Sequence, residues 1–164
     1  MLLGCNLKLR AFSPSDAERV AFLVGDRSVS KWTSNIPFPY TKQNALDWIE
    51  STSQSEERNP FAVELNGELV ACVSFWPHES ESVEVGYWVG KSCWGRGICS
   101  EALAKLLSSS SFPQGASVVA KVMASNVGSE RVLQKNGFLF CEQGTIYKKG
   151  REIDAKFFVR ASAT

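Results

Sequence analysis

Apolar positions along the chain recur with two periods, and each switch between them marks an element boundary. Asn6–Phe12 sets Leu7, Leu9 and Ala11 against Lys8 and Arg10, the pattern of a half-buried strand. Ser13-Pro14 ends it and opens a helix. Pro14 suits the first helical position, Asp16 and Glu18 fall in the first turn, and Val20, Phe22, Leu23 and Val24 supply the apolar side before Gly25 stops it. Residues 31–40, rich in aromatics and prolines, follow neither period and read as a loop. Thr41 is an N-cap for a helix through Ser53 that buries Ala45, Trp48 and Ile49. The clearest hairpin follows: Phe61–Leu65, the turn Asn66-Gly67, then Glu68–Phe75, with Asn-Gly supplying the positive φ angles of a type I′ turn.

Val83–Val89 alternates Val83, Val85, Tyr87 and Val89 with Glu84, Gly86 and Trp88, a strand with two distinct faces. From Ile98 the period becomes helical, with Ile98, Ala102, Leu103, Leu106 and Leu107 along one side. Ser108–Ser111 reads as the exit of that helix, and Ser117–Met123 as a buried strand. Asn126 opens a further helix, closed by Gly137 with Phe138 packing back. Phe138–Glu142 and Thr145–Lys148 lead through Lys149-Gly150 to a last strand. There Ile153, Ala155, Phe157 and Val159 alternate with Asp154, Lys156, Phe158 and Arg160. The order β-α-α-β-β-β-α-β-α-β-β, without internal repeats, predicts an α/β (α+β) fold: a mixed sheet with helices on both faces.

The stretch that organises the rest is the strand ending at Val89, the loop Trp94-Gly95-Arg96-Gly97 and the helix from Ile98. Glycines let backbone N–H groups approach a ligand, and a helix start adds unpaired donors and the positive end of the dipole. That build holds phosphate. It is not a nucleotide P-loop, because Gly-Lys-Ser/Thr is absent at the required spacing. It is also a broken dinucleotide fingerprint: Ser100 replaces the third glycine, and no acidic residue follows Gly97 at the ribose-binding distance. An ordinary surface turn would also carry two such glycines.

The surrounding residues narrow the reading. Glu84-x-Gly-Tyr-Trp, Trp-Gly-Arg-Gly and Ser-Glu-Ala-Leu together resemble the acetyl-CoA-binding core of the GNAT acetyltransferase superfamily. Ser125-Asn126-Val-Gly-Ser129-Glu-Arg131-Val-Leu-Gln-Lys135-Asn-Gly137-Phe138 resembles the second cofactor element of its ribosomal-protein, RimJ/RimL-type branch. The two stand in the family's order, and the resemblance covers nearly the whole chain. Ser92 stands where the family often has Gln or Arg, which leaves the backbone cradle unaffected. The resemblance implies a central mixed sheet of six to seven strands flanked by about four helices, in one domain over residues 1–164.

It also implies roles. Gly95, Arg96, Gly97, Ile98, Cys99 and Ser100, with Trp94, would hold the pyrophosphate of acetyl-CoA, and the strand end near Trp88 and Val89 would pair with its pantetheine arm. Asn126 is either a helix N-cap or a pantetheine contact. Ser129, one turn later, would donate a hydrogen bond to the leaving sulfur, with Tyr147 as the alternative acid. Glu84 is the candidate base, or equally a solvated strand residue. Trp32, Phe38 and Tyr40 form either an acceptor wall or an apolar cluster under a loop. The implied reaction is direct attack of a primary amine on acetyl-CoA in a ternary complex, most simply by a protein N-terminal α-amine. A small-molecule amine acceptor and a non-catalytic acyl-CoA-binding module are the alternatives.

Composition sets the outer bounds. The 164 residues, 44% hydrophobic and 21% charged, suffice for one compact core, and a net charge of +1 argues against a partner bound by phosphate neutralisation, so no nucleic acid is expected. Met1-Leu-Leu-Gly-Cys5 mimics a lipoprotein box without a charged leader or apolar region, so no membrane association and a cytoplasmic location are expected. Cys5, Cys72, Cys93, Cys99 and Cys141 are odd in number and lack zinc spacing, and His78 is the single histidine. They read as core residues rather than disulfides or metal ligands, with a Cys–His78 nucleophile pair a minor alternative. A monomer and a homodimer remain equally open.

Overall fold

A computed structural model describes residues 6–33 and 36–161; the Met1–Cys5 segment lies outside them. The strands β1 (Leu7–Arg10), β2 (Asn59–Leu65), β3 (Glu68–Pro77), β4 (Ser82–Val89), β5 (Ser117–Met123), β6 (Leu139–Lys148) and β7 (Arg151–Arg160) form one sheet in the order β1-β2-β3-β4-β5-β7-β6. Every neighbouring pair is antiparallel except β4 and β5. The helices are α1 (Ala17–Val24), α2 (Arg27–Ser30), α3 (Lys42–Ser53), α4 (Ile98–Ser108) and α5 (Val127–Lys135). This is the mixed sheet with flanking helices that the pattern predicts. The four-residue α2, which no period announces, is capped by Asp26 accepting from the Ser28 N–H.

Consecutive residues of β2 explain the layering. Ala62 and Val63 are both fully buried, yet alternation sends them to opposite faces. Ala62 joins Val20, Val24, Ala45 and Ile49 of α1 and α3. Val63 joins Val73, Val85 and the α4 residues Ile98, Leu103 and Leu106, together with Leu133 of α5. The β2–β3 turn has Asn66 at φ 52° and Gly67 at φ 84°, as a type I′ turn requires. Thr41 caps α3 through its side chain, accepting from the Asn44 N–H at 3.1 Å.

Three sequence expectations are corrected. Phe22 is 71% exposed, because it stands two positions from Val20 and from Val24 and so about 200° around the helix. Its ring instead lies beneath the Arg19 guanidinium. The two segments expected after Phe138 are one strand, β6, with a bulge at Cys141 between the pairs Phe140–Phe158 and Glu142–Phe157. The alternation expected in β7 fails at Phe158, which is fully buried although its parity matches Asp154 and Lys156. Towards its C-terminal end β7 is covered on both faces: Ala155 is buried on one side, and Phe158, part of the main core cluster and edge-on to Phe140, on the other.

Candidate acyl-transfer site

The parallel pair β4–β5 is joined only at Ser82–Ser117, Val83–Val118 and Glu84–Val119. Beyond Glu84 the strands part: β4 runs on to Val89 paired with β3 alone, and β5 to Met123 paired with β7 alone. Register identifies which backbone groups face the gap. Gly90 N–H donates to the Val70 carbonyl at 2.9 Å, so the even residues of β4 bond to β3. The Val85 N–H is taken up by Val119 in the last parallel pair, so it is the Val85 carbonyl and the N–H and C=O groups of Tyr87 and Val89 that point into the opening. Trp88 does not offer its backbone there, since its peptide groups are committed to Cys72, although its side chain lines the cavity. The Val89 carbonyl already accepts from Trp94 Nε1 at 2.9 Å.

The gap opens into a cleft of about 1350 Å³. At its crotch stands Glu84, the last β4 residue paired with β5, with Oε1 3.4 Å from Lys121 Nζ and its side chain only 13% exposed. That oxygen is buried and accepts no hydrogen bond. On the far wall, α5 begins at Asn126, whose Oδ1 accepts from the Ser129 N–H at 3.2 Å. Asn126 is thus an N-cap, and it also lines the cleft. Ser129 Oγ lies 2.7 Å from Tyr87 Oη, which is 3.0 Å from the Ser129 carbonyl. Burial pushes the Tyr87 phenol well above its usual range, against the lowering effect of the Ser129 bond, so it stays a neutral donor.

At the other end of β4 the loop turns into α4. Gly95 (φ 73°) and Gly97 (φ 76°) adopt the left-handed backbone that branched residues avoid, and a Cβ on either would project into open space. Gly97 occupies the N-cap position without a capping side chain, so the first N–H groups of an eleven-residue helix face the cleft. Uncapped donors at a dipole end fit the pyrophosphate of a coenzyme. Gly95, Gly97, Ile98, Cys99 and Ser100 all line the cavity.

Of the other expected residues, Trp32, Tyr40, Trp88, Val89, Trp94 and Ser129 line the cleft too. Burial pushes the Tyr40 phenol up to about 12. Three do not line it. Arg96 is exposed, its guanidinium 4.0 Å from Cys93 Sγ. Phe38 lies under Arg27 and lines a separate, smaller cavity. Tyr147 is 67% exposed and donates to Glu152 at 2.9 Å, because strand alternation gives the cleft its neighbour Ile146 instead. Sequence reasoning also passed over three residues. None of the three has a role of its own in that reading: Tyr87 stands in the first motif as an apolar strand position, and Arg131 and Lys135, both lining the cleft from α5, stand in the second. Their spacing of four places them on one face, which was the available signal.

Cys72, Cys93 and Cys99 are buried free thiols along the cleft, and burial holds Cys72 and Cys99 far above the usual thiol range. His78 Nδ1 meets Ser82 Oγ at 3.1 Å in the β3–β4 turn, away from them. Among the described residues no helix is long and apolar enough to cross a membrane.

Residues 6–139 match the acetyltransferase (GNAT) domain model. The chain belongs to the GNAT acetyltransferase family. It is an N-acetyltransferase by that membership, and its seven-stranded mixed sheet with flanking helices is consistent with that fold. It is 29% identical to the uncharacterized N-acetyltransferase p20 of Bacillus licheniformis, over 93% of this chain and 91% of that protein. Among solved structures it resembles the Salmonella typhimurium acetyltransferase that modifies the N-terminal serine of ribosomal protein L7/L12, with TM-score 0.82 and 20% identity over 96% and 95% of the chains. It also resembles the microcin C7 self-immunity acetyltransferase MccE, solved with acetyl-CoA and AMP, with TM-score 0.81 and 20% identity over 94% and 92%. At such identities the structural likeness shows the fold alone.

Proposed function

We propose that this GNAT protein is an acetyl-CoA-dependent N-acetyltransferase of RimJ/RimL type, acting on a protein N-terminal α-amine. The observation that carries the reading is the parting of β4 and β5 between Glu84 and Ser129, which leaves strand-edge donors, a hydroxyl and a carboxylate around one gap. Acetyl-CoA, when bound, supplies the acetyl thioester. The Gly95–Ser100 cradle and the start of α4 hold its phosphates, with Arg131 and Lys135 adding positive charge from α5. The N–H groups of Tyr87 and Val89 orient the arm along the β4 edge, and one of them polarises the acyl carbonyl.

Ser129 Oγ–H protects the departing sulfur with a hydrogen bond. Its proton is available because Tyr87 Oη–H can donate to the Ser129 carbonyl, leaving the serine proton uncommitted. Glu84 takes the amine proton, directly or through water. An α-amine of pKa about 8 is partly neutral near pH 7, whereas a lysine amine of about 10.4 is not, so a single carboxylate suits the former. The Salmonella typhimurium enzyme that modifies an N-terminal serine is a precedent for this acceptor on the same fold. Trp32 and Tyr40 serve as the acceptor wall in this reading.

The test is release of free thiol from acetyl-CoA with a panel of N-terminal peptides, amino acids and polyamines. Turnover with peptides, lost when their α-amine is blocked, supports the proposal. Turnover with amino acids or polyamines alone replaces the acceptor by a small amine, and no turnover with any amine overturns the proposal.

A further inference from the structure

A second cavity, of about 150 Å³, adjoins the segment that walls the acceptor end of the cleft. Arg27, Lys31, Lys148 and Lys149 line it with Ile36 and Phe38, and no carboxylate is among its lining residues. Ile36 lines the main cleft as well, so the two cavities share a wall. The cations come from two distant parts of the chain, α2 with the residue after it, and the β6–β7 turn. They are joined by Lys148 Nζ, which donates to the Ser30 carbonyl at 2.7 Å and the Lys31 carbonyl at 2.8 Å.

Two of the four charges are held over rings instead of beside acids. The Arg27 guanidinium lies 4.4 Å from the Phe38 ring centre and Lys31 Nζ 4.8 Å from that of Trp32. Among the described residues none of the four cations forms an ion pair, whereas Arg10, Arg19, Lys121 and Lys156 each do. With a net charge of +1 for the whole chain, this is a local concentration and not a generally basic surface. Burial and the neighbouring Lys149 lower the Lys148 ammonium from its usual range, a shift that a nearby anion would reverse. Four cations without a counter-charge are complementary to an anion.

We infer that the acceptor is an acidic N-terminal peptide, whose carboxylates a few residues beyond the reacting amine are read by Arg27, Lys31 and Lys149. This rests on the peptide-acceptor reading above. An extended peptide advances about 3.4 Å per residue, and Ile36, which lines both cavities, is the wall that such a peptide would cross on its way from the cleft to the cations. Lys148 fixes the site's two halves together, and the three more exposed cations supply the charge.

The experiment compares kcat/KM on matched N-terminal peptides bearing Glu, Gln or Lys at the third to fifth positions, in low and high salt. Glu peptides should exceed Gln peptides about five- to tenfold, the scale of two or three exposed charge pairs, with the ratio shrinking as salt rises. The double variant Arg27→Glu with Lys149→Glu should reverse the order, so that Lys peptides become the better acceptors. Acetyl-CoA affinity by calorimetry checks that this variant is folded. A flat charge series on peptides that do turn over, or a variant that slows every peptide by one factor, overturns this inference alone. Turnover of small amines but of no peptide overturns the peptide acceptor itself and this inference with it.

Discussion

Tyr87 and Ser129 face each other across the gap between β4 and α5, with Oη 2.7 Å from Oγ and 3.0 Å from the Ser129 carbonyl. Only one of the two contacts can use the phenol proton, and a carbonyl can only accept. When Tyr87 donates to the carbonyl, Ser129 keeps its proton for either the phenol oxygen or a sulfur in the cleft. Ser129→Ala should then lower kcat about 10- to 100-fold with acetyl-CoA affinity little changed, as for an interaction made in the transition state. Tyr87→Phe, which keeps the ring, should lower kcat about fivefold, the scale of one hydrogen bond. Because the phenol acts through Ser129, adding Tyr87→Phe to Ser129→Ala should cost almost nothing more. Independent, multiplying losses in steady-state kinetics would separate the two residues.

Gly97 is where cofactor binding is most exposed to a single substitution. Its φ of 76° costs an L-residue about 1–2 kcal/mol, and the open space beside it is where phosphate would approach the backbone. Gly97→Val should leave the protein folded but reduce acetyl-CoA affinity by at least tenfold, about 1.4 kcal/mol. Unchanged affinity in a calorimetric titration would mean that the phosphates bind elsewhere.

How far the sequence foretold the site depends on what kind of signal each residue leaves. The Asn66-Gly67 hairpin, the α3 cap at Thr41 and the α4 register were all legible, because each is a local pattern with one physical solution. The glycine loop was legible for the same reason. The direction of the Arg96 side chain was not, since a loop residue's rotamer depends on its surroundings. Tyr147 and Ile146 differ by one position, and only the pairing of β6 with β7 decides which of them faces the cleft. Tyr87 reads in sequence as one more apolar strand residue. Its role depends on Ser129, 42 residues away, a distance that no local period carries.

Arg131 and Lys135 line the cleft, whereas Arg96 does not, and this ordering should appear in affinity. Arg131→Ala and Lys135→Ala should each weaken coenzyme A by about 1–2 kcal/mol, the scale of a charge-assisted hydrogen bond in a partly solvated site. Arg96→Ala should change it by less than either. Parallel titrations with dephospho-coenzyme A show whether a given cation serves the 3′-phosphate or the pyrophosphate. A dominant effect of Arg96 would return the charge to the loop.

Away from the cleft, Asp16 anchors the start of α1. Its carboxylate accepts from Arg10 at 2.8 and 2.9 Å and from the Ser13 N–H at 2.8 Å. The Arg10 bonds hold the carboxyl below its usual range, with burial opposing and the Ser13 bond assisting. A carboxyl more acidic in the folded state adds stability above its unfolded pKa of about 4, and that stability is lost as pH falls through the folded value. Asp16→Asn should therefore lose about 1–3 kcal/mol in urea titrations at pH 7. The difference from wild type should shrink steadily below about pH 4. A gap independent of pH would assign the loss to packing alone.

Glu84 stands at the crotch of the parted strands, and its ion pair with Lys121 is the one charged contact it makes among the described residues. Removing the charge should cost little stability, because Lys121 is 39% exposed and can be solvated alone. The effect should fall on kcat. Glu84→Gln should lower it about 10- to 100-fold with a lysine-like acceptor, whose amine of pKa about 10.4 needs help to lose its proton. With an α-amine of about 8, a growing fraction is already neutral, so the loss should be smaller and should fade as pH rises from about 6 to 9. Measuring kcat against pH for both acceptors separates a base from a purely structural carboxylate. A base gives a deficit that depends on acceptor and pH, whereas a strand-positioning role gives one deficit for both acceptors at every pH. That second outcome would leave proton removal to water held at the mouth of the gap.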